Sequence, residues 1–455
     1  MTELQKVFMA KSAVKANDLE HKRKIYFNIN KYNESVINGK KQYVNLDIAR
    51  KRAKNIKWKA IENLDKYLEQ FENNFTKNKG KIIWAETAKE ALQAVLQICK
   101  DKNATQVVKA KSMVSEEIHL NHFLEQNGIE SVETDLGEYI QQLDGEPPYH
   151  IVTPAMHKSK EDVAKVFHDK LGTEQNLNPT EITQIARKNL RTKYLTAQIG
   201  ITGANFLLAD IGGIAVTENE GNARLSTSFP PVHIAIVGIE KIIPSINDLE
   251  LYWPLLATFG TGQQITVYNS IFTGPKKEDE TDGPEEMYVI LLDNGRTNLL
   301  KKEVRESMYC IRCGACLNVC PVYKNIGGHA YGTTYSGPIG SVITPHLLGM
   351  AENKHLSFAS SLCGNCTEVC PVKINIHELL LENRNLAVKQ KLNGFAEDTI
   401  WKTWEQTMLS RRMMNLVGTD FKNKAINYLF RDSWVNDRDK LIFSPKSFNK
   451  MWKER

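Results

Sequence analysis

Cysteine is the residue type whose spacing in this chain most clearly implies chemistry. Seven of the eight cysteines fall within 61 residues, beginning with the run CIRCGACLNVCP at residues 310–321. This C-x2-C-x2-C-x3-C-P spacing is typical of bacterial ferredoxins, in which three close thiolates hold one iron–sulfur cluster and the fourth cysteine ligates a second one. Zinc is less favoured, because it usually takes two separated pairs of ligands. The run therefore predicts iron–sulfur chemistry.

A second run, CGNCTEVCP at residues 363–371, has Ser360 where the first run has its first cysteine. If each fourth cysteine crosses to the other cluster, the cysteines of the first cluster are Cys310, Cys313, Cys316 and Cys370. Those of the second cluster are then Cys320, Cys363 and Cys366. The sequence thus predicts two clusters, most simply [4Fe–4S], the second with three cysteine ligands. Its fourth iron could be held by water, by Ser360 or by a partner protein, or could be absent in a three-iron cluster.

Two other residues with ligand chemistry are assigned structural roles. Cys99 stands apart in the helical stretch Ala88–Lys100 and is most simply a small core residue. His329 lies in the glycine-rich connector between the two runs and could ligate or relay protons. A single histidine in such a connector is more simply a packed loop residue.

The sequence around the cysteine runs divides into four predicted regions. Residues 1–75 form a helical arm, with apolar residues at helical spacing. Residues 76–300 alternate β-rich runs with helical stretches, which predicts an α/β layered domain with a largely parallel sheet. Residues 304–385 form a helical, ferredoxin-like two-cluster module, and residues 386–455 a basic helical tail. The β-rich runs are Ile82–Ala85, Val107–Ala110, Ile151–Thr153, Ile214–Thr217, Ile234–Val237, Ile265–Tyr268 and Tyr288–Leu292.

Composition and charge narrow the functional classes. The 455 residues have a formal net charge of +6, which is concentrated at the two ends. Lys and Glu interleave there, so nucleic-acid binding is less favoured than solvated helical faces and docking of a protein partner. No apolar run reaches the roughly 20 residues of a membrane span, and no secretory signal is recognisable. We therefore expect a cytoplasmic protein. Glycine motifs for nucleotides and dinucleotides are also missing from the sequence.

Four stretches together carry a resemblance to a known family. They are KSMVSEE at 111–117, EPPYHIVTPAMHK at 146–158, TGANFLLADIGGIAVTENEGNARLSTSFPP at 202–231 and CGNCTEVCPVKINI at 363–376. In these strings, and in the order of α/β domain, paired cysteine runs and tail, the chain resembles the lactate utilization protein B family. That family also has seven cysteines in the module, so Ser360 agrees with its pattern.

The resemblance implies a function. It implies an electron-transfer subunit of a three-protein complex that oxidises L-lactate to pyruvate and allows growth on lactate, with two other subunits as partners. It also implies that the α/β domain is similar to the isomerase and CoA-transferase class of folds. Under this interpretation the chain passes electrons and is not itself the catalytic subunit.

A second hypothesis places an activity in the α/β domain, with structural clusters and a small carboxylate or acyl substrate. Its motivation is the loop after the run Ile214–Thr217, because open α/β sheets bind ligands at the carboxyl ends of strands. The candidate ligand residues of this loop are Glu218, Glu220, Asn222 and Arg224. A solvated charge pair in a connecting loop explains the same residues equally well, so no catalytic residue is assigned.

Overall fold

The first part of the chain is helical, as its apolar spacing predicted. In the computed structural model, which describes residues 2–300, 303–431, 434 and 438–454, Asp18 and Asn45 each cap a helix by accepting the backbone N–H three residues ahead. The helices of this arm are α1 (Glu3–Asn17), α2 (Leu19–Gly39), α3 (Leu46–Glu62) and α4 (Leu64–Lys77).

Two sheets follow the arm. The strands are β1 (Lys81–Ala85), β2 (Gln106–Lys109), β3 (Glu130–Glu133), β4 (Ile199–Thr202), β5 (Phe206–Leu208), β6 (Gly213–Glu218), β7 (Val232–Gly238), β8 (Ile242–Ile243), β9 (Tyr268–Phe272) and β10 (Glu286–Leu292). Every strand pair described in the larger sheet is parallel, in the order β1-β10-β7-β4-β2-β3. All of β7 is buried, as expected for an inner parallel strand covered on both faces. The α/β class with a largely parallel sheet is confirmed.

The smaller sheet has the order β8-β5-β6-β9 and is mixed. Strand β5 pairs antiparallel with β6 and parallel with β8, and β6 pairs antiparallel with β9. The run Ile214–Thr217 therefore belongs to this second sheet. The loop predicted to hold a ligand follows β6 and not a strand of the parallel sheet.

Helices lie between these strands and after the last of them. They are α5 (Ala88–Asp101), α6 (Met113–Glu117), α7 (Leu120–Gln126), α8 (Leu136–Asp144), α9 (Lys160–Leu171), α10 (Pro179–Thr196), α11 (Asn222–Ser228), α12 (Leu249–Thr261) and α13 (Thr297–Leu300). Cys99 is fully buried on α5, which confirms its role as a core residue.

Two of the predicted strands are wrong in whole or in part. The run Ile151–Thr153 is a bend, because His150 Nδ1 accepts the N–H groups of Val152 and Thr153 at 3.1 and 3.2 Å and closes a tight turn. The run Ile265–Tyr268 is irregular up to its last residue, where β9 begins.

The cysteine-rich module consists mainly of short helices. They are α14 (Ala315–Val319), α15 (Pro321–Ile326), α16 (Gly337–Leu347), α17 (Met350–Phe358), α18 (Asn365–Val369) and α19 (Ile376–Lys389). Helix α1 packs against α15 and α17, and α2 packs against α12 of the α/β domain. One hydrophobic core runs through the arm, the smaller sheet and the module. The arm therefore joins the module to the α/β domain.

The chain divides into two units, the first ending at Ala387 and the second beginning at Val388. The helices of the second unit are α20 (Phe395–Leu409), α21 (Arg411–Asn415), α22 (Thr419–Leu429) and α23 (Phe448–Lys453). None of the side chains described from residue 388 onward is fully buried. Across the described residues of both units, no helix has the length and apolar character that crossing a bilayer requires.

Candidate metal centre and the adjoining cavity

The first cysteine run folds as a tight loop that leads into a short helix. Arg312 and Gly314 have positive φ angles of 62° and 77°, and α14 begins directly after them. A Cβ at position 314 would also lie 3.0 Å from the side chains of Ile151 and Val152. Glycine is therefore required at position 314 both by the backbone conformation and by space.

The second run repeats this backbone fifty residues later. Leu362 and Gly364 have positive φ angles of 53° and 81°, and α18 follows them. The N–H of Leu362 donates to Ser360 Oγ at 3.1 Å, just as the N–H of Arg312 donates to Cys310 Sγ at 3.4 Å. Ser360 thus has the same local backbone position in the second run that Cys310 has in the first.

The fold sorts the seven cysteines of the module into two sets. The four that line one common cavity are Cys310, Cys313, Cys316 and Cys370. Within this set the thiol of Cys313 interacts electrostatically with Cys370 and Cys310. The other three, among which Cys320 and Cys366 each interact with Cys363, are Cys320, Cys363 and Cys366. The last cysteine of the second run therefore lies with the first three cysteines of the first run.

The surroundings of these sulfur atoms suit metal-bound thiolates. The N–H of Tyr323 donates to Cys320 Sγ at 3.5 Å, and the N–H of Ile374 donates to Cys370 Sγ at 3.3 Å. Burial raises the pKa of Cys366 to about 11 and that of Cys370 to about 12, because an isolated thiolate is costly away from water. Bound metal supplies the positive charge that stabilises such thiolates. Two all-sulfur donor sets with backbone N–H donors therefore fit iron–sulfur clusters.

Helix α3 fastens the loop that contains Cys370. Arg50 donates from Nε and Nη2 to the carbonyl oxygen of Cys370 at 3.0 and 2.8 Å. Lys54 Nζ donates to the carbonyl oxygen of Lys373 at 3.1 Å, and the Lys373 ammonium pairs with Asp47. The arm therefore fixes the backbone around Cys370, a member of the set of four that is more than 300 residues away in sequence.

A cavity of about 380 Å³ lies between the α/β domain and the first cysteine run, and we call it the strand-end cavity. Ser112, Gly203 and Glu218 line it at or just beyond the carboxyl ends of β2, β4 and β6. Arg312 and Cys313 of the first cysteine run line it as well. The cavity thus combines the usual ligand position of an α/β sheet with a wall formed by a cysteine of the first set.

The sequence-predicted loop contributes three of its four candidate residues to this cavity. Glu218, Glu220 and Asn222 line it, whereas Arg224 turns away and donates to Ser270 Oγ at 3.2 Å. The Glu218 carboxylate accepts the N–H groups at the start of α11 at 2.6 and 3.0 Å. Burial raises the pKa of Glu220 to about 7. The loop therefore gives the cavity an acidic side.

Basic side chains line the cavity as well, and sequence reasoning missed them. Lys111 is already paired, with Asp135 at 3.2 Å and with the carbonyl oxygen of Val152 at 3.0 Å. Arg312 lies between two cysteines of the first run, at a position to which the spacing pattern assigns no role. Lys241 follows β7 and belongs to no motif. Neither residue gave a signal in the sequence, because the fold alone brings them beside the ends of β2 and β4.

A buried ionic network lies behind this cavity. Arg296 is 2% exposed and donates to Glu117 at 2.7 and 3.0 Å and to Glu240 at 2.6 Å. Tyr335, from the connector between the cysteine runs, donates its hydroxyl to Glu117 at 2.6 Å. The guanidinium of Arg312 stacks on the Tyr335 ring at 4.4 Å. The network therefore joins the connector to the α/β domain.

His329 lies in a polar cluster with Glu146 and His157 of the α/β domain. Its Nε2 lies 2.8 Å from the carbonyl oxygen of Pro147, and its ring contacts those of Tyr149 and His157. Within the described residues, ligand atoms of Glu146, His157 and His329 lie within 4.8 Å of one another. Lys158 Nζ already pairs with Glu146 at 2.9 Å, so the packed-loop interpretation of His329 is the simpler one.

Comparison with known proteins gives two family matches within the chain. Residues 68–292 match the LUD domain, and residues 306–374 match the 4Fe-4S dicluster domain. The chain is similar to lactate utilization protein B of Bacillus cytotoxicus, with 48% identity over 75% of this chain and 72% of the relative. It is 49% identical to the protein of that name from Geobacillus thermodenitrificans over the same shares. A solved structure of a DUF162 family protein from Deinococcus radiodurans aligns with 50% of this chain and 98% of its own, at 13% identity and a TM-score of 0.30.

Proposed function

The chain belongs to the lactate utilization protein B family, and we propose that it is the iron–sulfur electron-transfer subunit of a cytoplasmic complex that oxidises L-lactate to pyruvate. Two other subunits would complete the complex. The observation that carries the proposal is the sorting of seven cysteines into a set of four and a set of three. The family relationship supplies the link to lactate, and the cysteine sets supply the chemistry.

In this proposal the set of four, including Cys370, holds one [4Fe–4S] cluster, and the set of three holds the other. The bound clusters would supply one-electron carriers for the two electrons that oxidation of lactate releases. The residues of the chain hold the sulfur atoms, donate backbone N–H bonds to them and keep water from the first set. Arg50 and Lys54 support this role, because they fix the loop that brings Cys370 to the first set.

Metal analysis of the intact protein tests the cluster content. Anaerobic purification or reconstitution of the full chain is expected to give about eight irons and about eight acid-labile sulfides per chain, as two [4Fe–4S] clusters require. The measurement is colorimetric iron and sulfide determination beside elemental analysis for zinc. Zinc without sulfide, or fewer than about six irons, would contradict the proposal.

The serine at position 360 predicts which cluster is labile. With three thiolates the second cluster holds one iron more weakly, so air oxidation is expected to convert it to a three-iron form before the first cluster changes. Because Ser360 has the backbone position of Cys310, Ser360→Cys is expected to supply a fourth thiolate, suppress the conversion and lower the reduction potential by adding negative charge. EPR spectroscopy of air-exposed samples measures the three-iron signal, and redox titration measures the potential.

Ser361→Cys is the matched control for this substitution. It adds the same thiol one residue further along, without the N–H contact that makes position 360 equivalent to position 310. The three-iron signal is expected to remain in Ser361→Cys. An equal signal in wild type and Ser360→Cys would show that Ser360 does not face the second cluster.

A further inference from the structure

Tyr331 lies in the connector between the two cysteine runs, and its hydroxyl is buried without a partner. The residue is 3% exposed, and among the residues that the structure describes none forms a hydrogen bond with its Oη. Its ring packs edge-on against the ring of Phe8 on α1, with 5.9 Å between the centroids, and lies 6.1 Å from the ring of Tyr323. The aromatic part of Tyr331 is therefore packed on both sides, and only its polar end lacks a partner.

An unpaired hydroxyl in this position needs an acceptor. Burial without a hydrogen bond destabilises a hydroxyl, and most buried polar groups in folded proteins have a partner. Tyr331 interacts electrostatically with Cys320 and, more weakly, with Cys316. Cys320 belongs to the set of three cysteines and Cys316 to the set of four, and both are buried. The donor therefore lies close to sulfur atoms of both sets.

We propose that the Tyr331 hydroxyl donates a hydrogen bond to a sulfur atom of the second cluster, at or beside Cys320, and thereby raises the reduction potential of that cluster. Reduction adds negative charge to the sulfur atoms, so a hydrogen-bond donor stabilises the reduced form more than the oxidised form. A tyrosine hydroxyl is a suitable donor, because it keeps its proton at neutral pH. The inference rests on the proposed function, since it requires a cluster at the second set.

Tyr323 provides a contrast within the same part of the module. It is 0% exposed, and its hydroxyl donates to the carbonyl oxygen of Tyr149 at 3.0 Å. Its backbone N–H donates to Cys320 Sγ at 3.5 Å. Two neighbouring buried tyrosines thus differ in one respect: the hydroxyl of Tyr323 has a partner within the chain, and that of Tyr331 has none.

Redox titration of the anaerobically reconstituted full chain, followed by EPR, tests the proposal. Tyr331→Phe keeps the ring and its packing and removes only the hydroxyl. We expect the midpoint potential of the second cluster to shift to a more negative value and that of the first cluster to stay unchanged. The signal of the second cluster is identified as the one that Cys363→Ala removes. Iron and sulfide content shows that each variant has folded and holds its clusters.

Tyr323→Phe is the matched control variant. It removes the adjacent buried hydroxyl but keeps the backbone N–H that donates to Cys320. Both midpoint potentials are expected to equal those of the wild type, whereas the thermal midpoint should fall, because the carbonyl oxygen of Tyr149 loses its bond. An equal shift of potential in both variants would show that the loss of a buried hydroxyl near the cluster matters and the specific hydrogen bond does not.

A second readout detects the hydrogen bond directly. When the chain is reconstituted in D2O and reduced, deuterium ENDOR should show a deuteron coupled to the second cluster that is missing in Tyr331→Phe and present in Tyr323→Phe. If a buried water satisfied the hydroxyl, neither the coupling nor the potential would change, and a shift of the first cluster alone would place the bond at Cys316. Either result, in a chain with about eight irons, would overturn this inference and leave the electron-transfer proposal standing. A chain without iron and sulfide would overturn both.

Discussion

Cys370→Ala is expected to remove the first cluster and to leave the second. The reason is that Cys370 lies with Cys310, Cys313 and Cys316 around one cavity, although its neighbours in sequence, Cys363 and Cys366, belong to the other set. The first cluster would keep only the buried Cys313 and Cys316 and the partly buried Cys310, so we expect it to be lost or strongly depleted. Iron content should fall toward about four per chain.

Two further variants make this measurement decisive. Cys363→Ala should instead deplete the second cluster and keep the first, and Cys99→Ala should keep both, because Cys99 is buried on α5 away from the module. Iron and sulfide analysis gives the total, and EPR of reduced samples shows which signal remains. If Cys370→Ala and Cys363→Ala removed the same signal, the crossed ligand assignment would be wrong.

Arg296→Met is expected to give the largest loss of stability among single substitutions outside the cysteines. It removes both guanidinium bonds to Glu117 and the bond to Glu240, and it leaves these carboxylates buried. Removing one partner of a buried ion pair typically costs about 3–5 kcal/mol. Thermal unfolding of the cluster-loaded chain should show a clearly lower midpoint temperature.

Arg305→Met is the matched control for this substitution. Arg305 also pairs with a glutamate, Glu62 at 2.7 Å, but its side chain is 41% exposed. Exposed pairs contribute about 0–1 kcal/mol, so its midpoint should stay close to that of the wild type. A similar loss in both variants would show that burial of the Arg296 network is not what matters.

In Arg296→Met, the contribution of the Glu117 carboxyl group to the pH dependence of stability should also change sign. In the wild type Arg296 holds the pKa of Glu117 below its ordinary value, so this group stabilises the fold at neutral pH and loses its contribution as the pH falls. Without Arg296, burial would raise the pKa of Glu117 above that of the unfolded chain. The variant should then gain stability relative to the wild type on acidification.

The cysteine spacing predicted local structure well because the chemistry of the site is encoded in a few adjacent residues. The loop around Gly314 and the short helix after it follow from the requirement that neighbouring sulfur atoms face one space. The run Ile234–Val237 was predicted as a strand for a similar reason, since four successive apolar residues leave little alternative, and it lies in the buried strand β7. In both cases the information is local.

The prediction of a strand at Ile151–Thr153 was wrong because its apolar character has another cause. Ile151 and Val152 pack against Gly314 of the first cysteine run, and His150 holds their backbone in a turn. The basic side of the strand-end cavity was missed for a related reason. Lys241 and Arg312 are 71 positions apart in the chain, and only the pairing of whole elements brings them to one cavity.

The N-terminal arm is synthesised well before the residues of the module that it contacts. Arg50 and Lys54 on α3 bind backbone oxygens of Cys370 and Lys373, which follow them by 320 and 319 residues. At a translation rate of about 5–20 residues per second, these partners are synthesised roughly 15–60 s after α3. During that interval the apolar residues of α1 that pack on α15 and α17 lack those two partners. A fragment that stops before the cysteine runs would remain permanently in this state, so expression of the α/β domain alone should include removal of α1 or a chaperone that shields it.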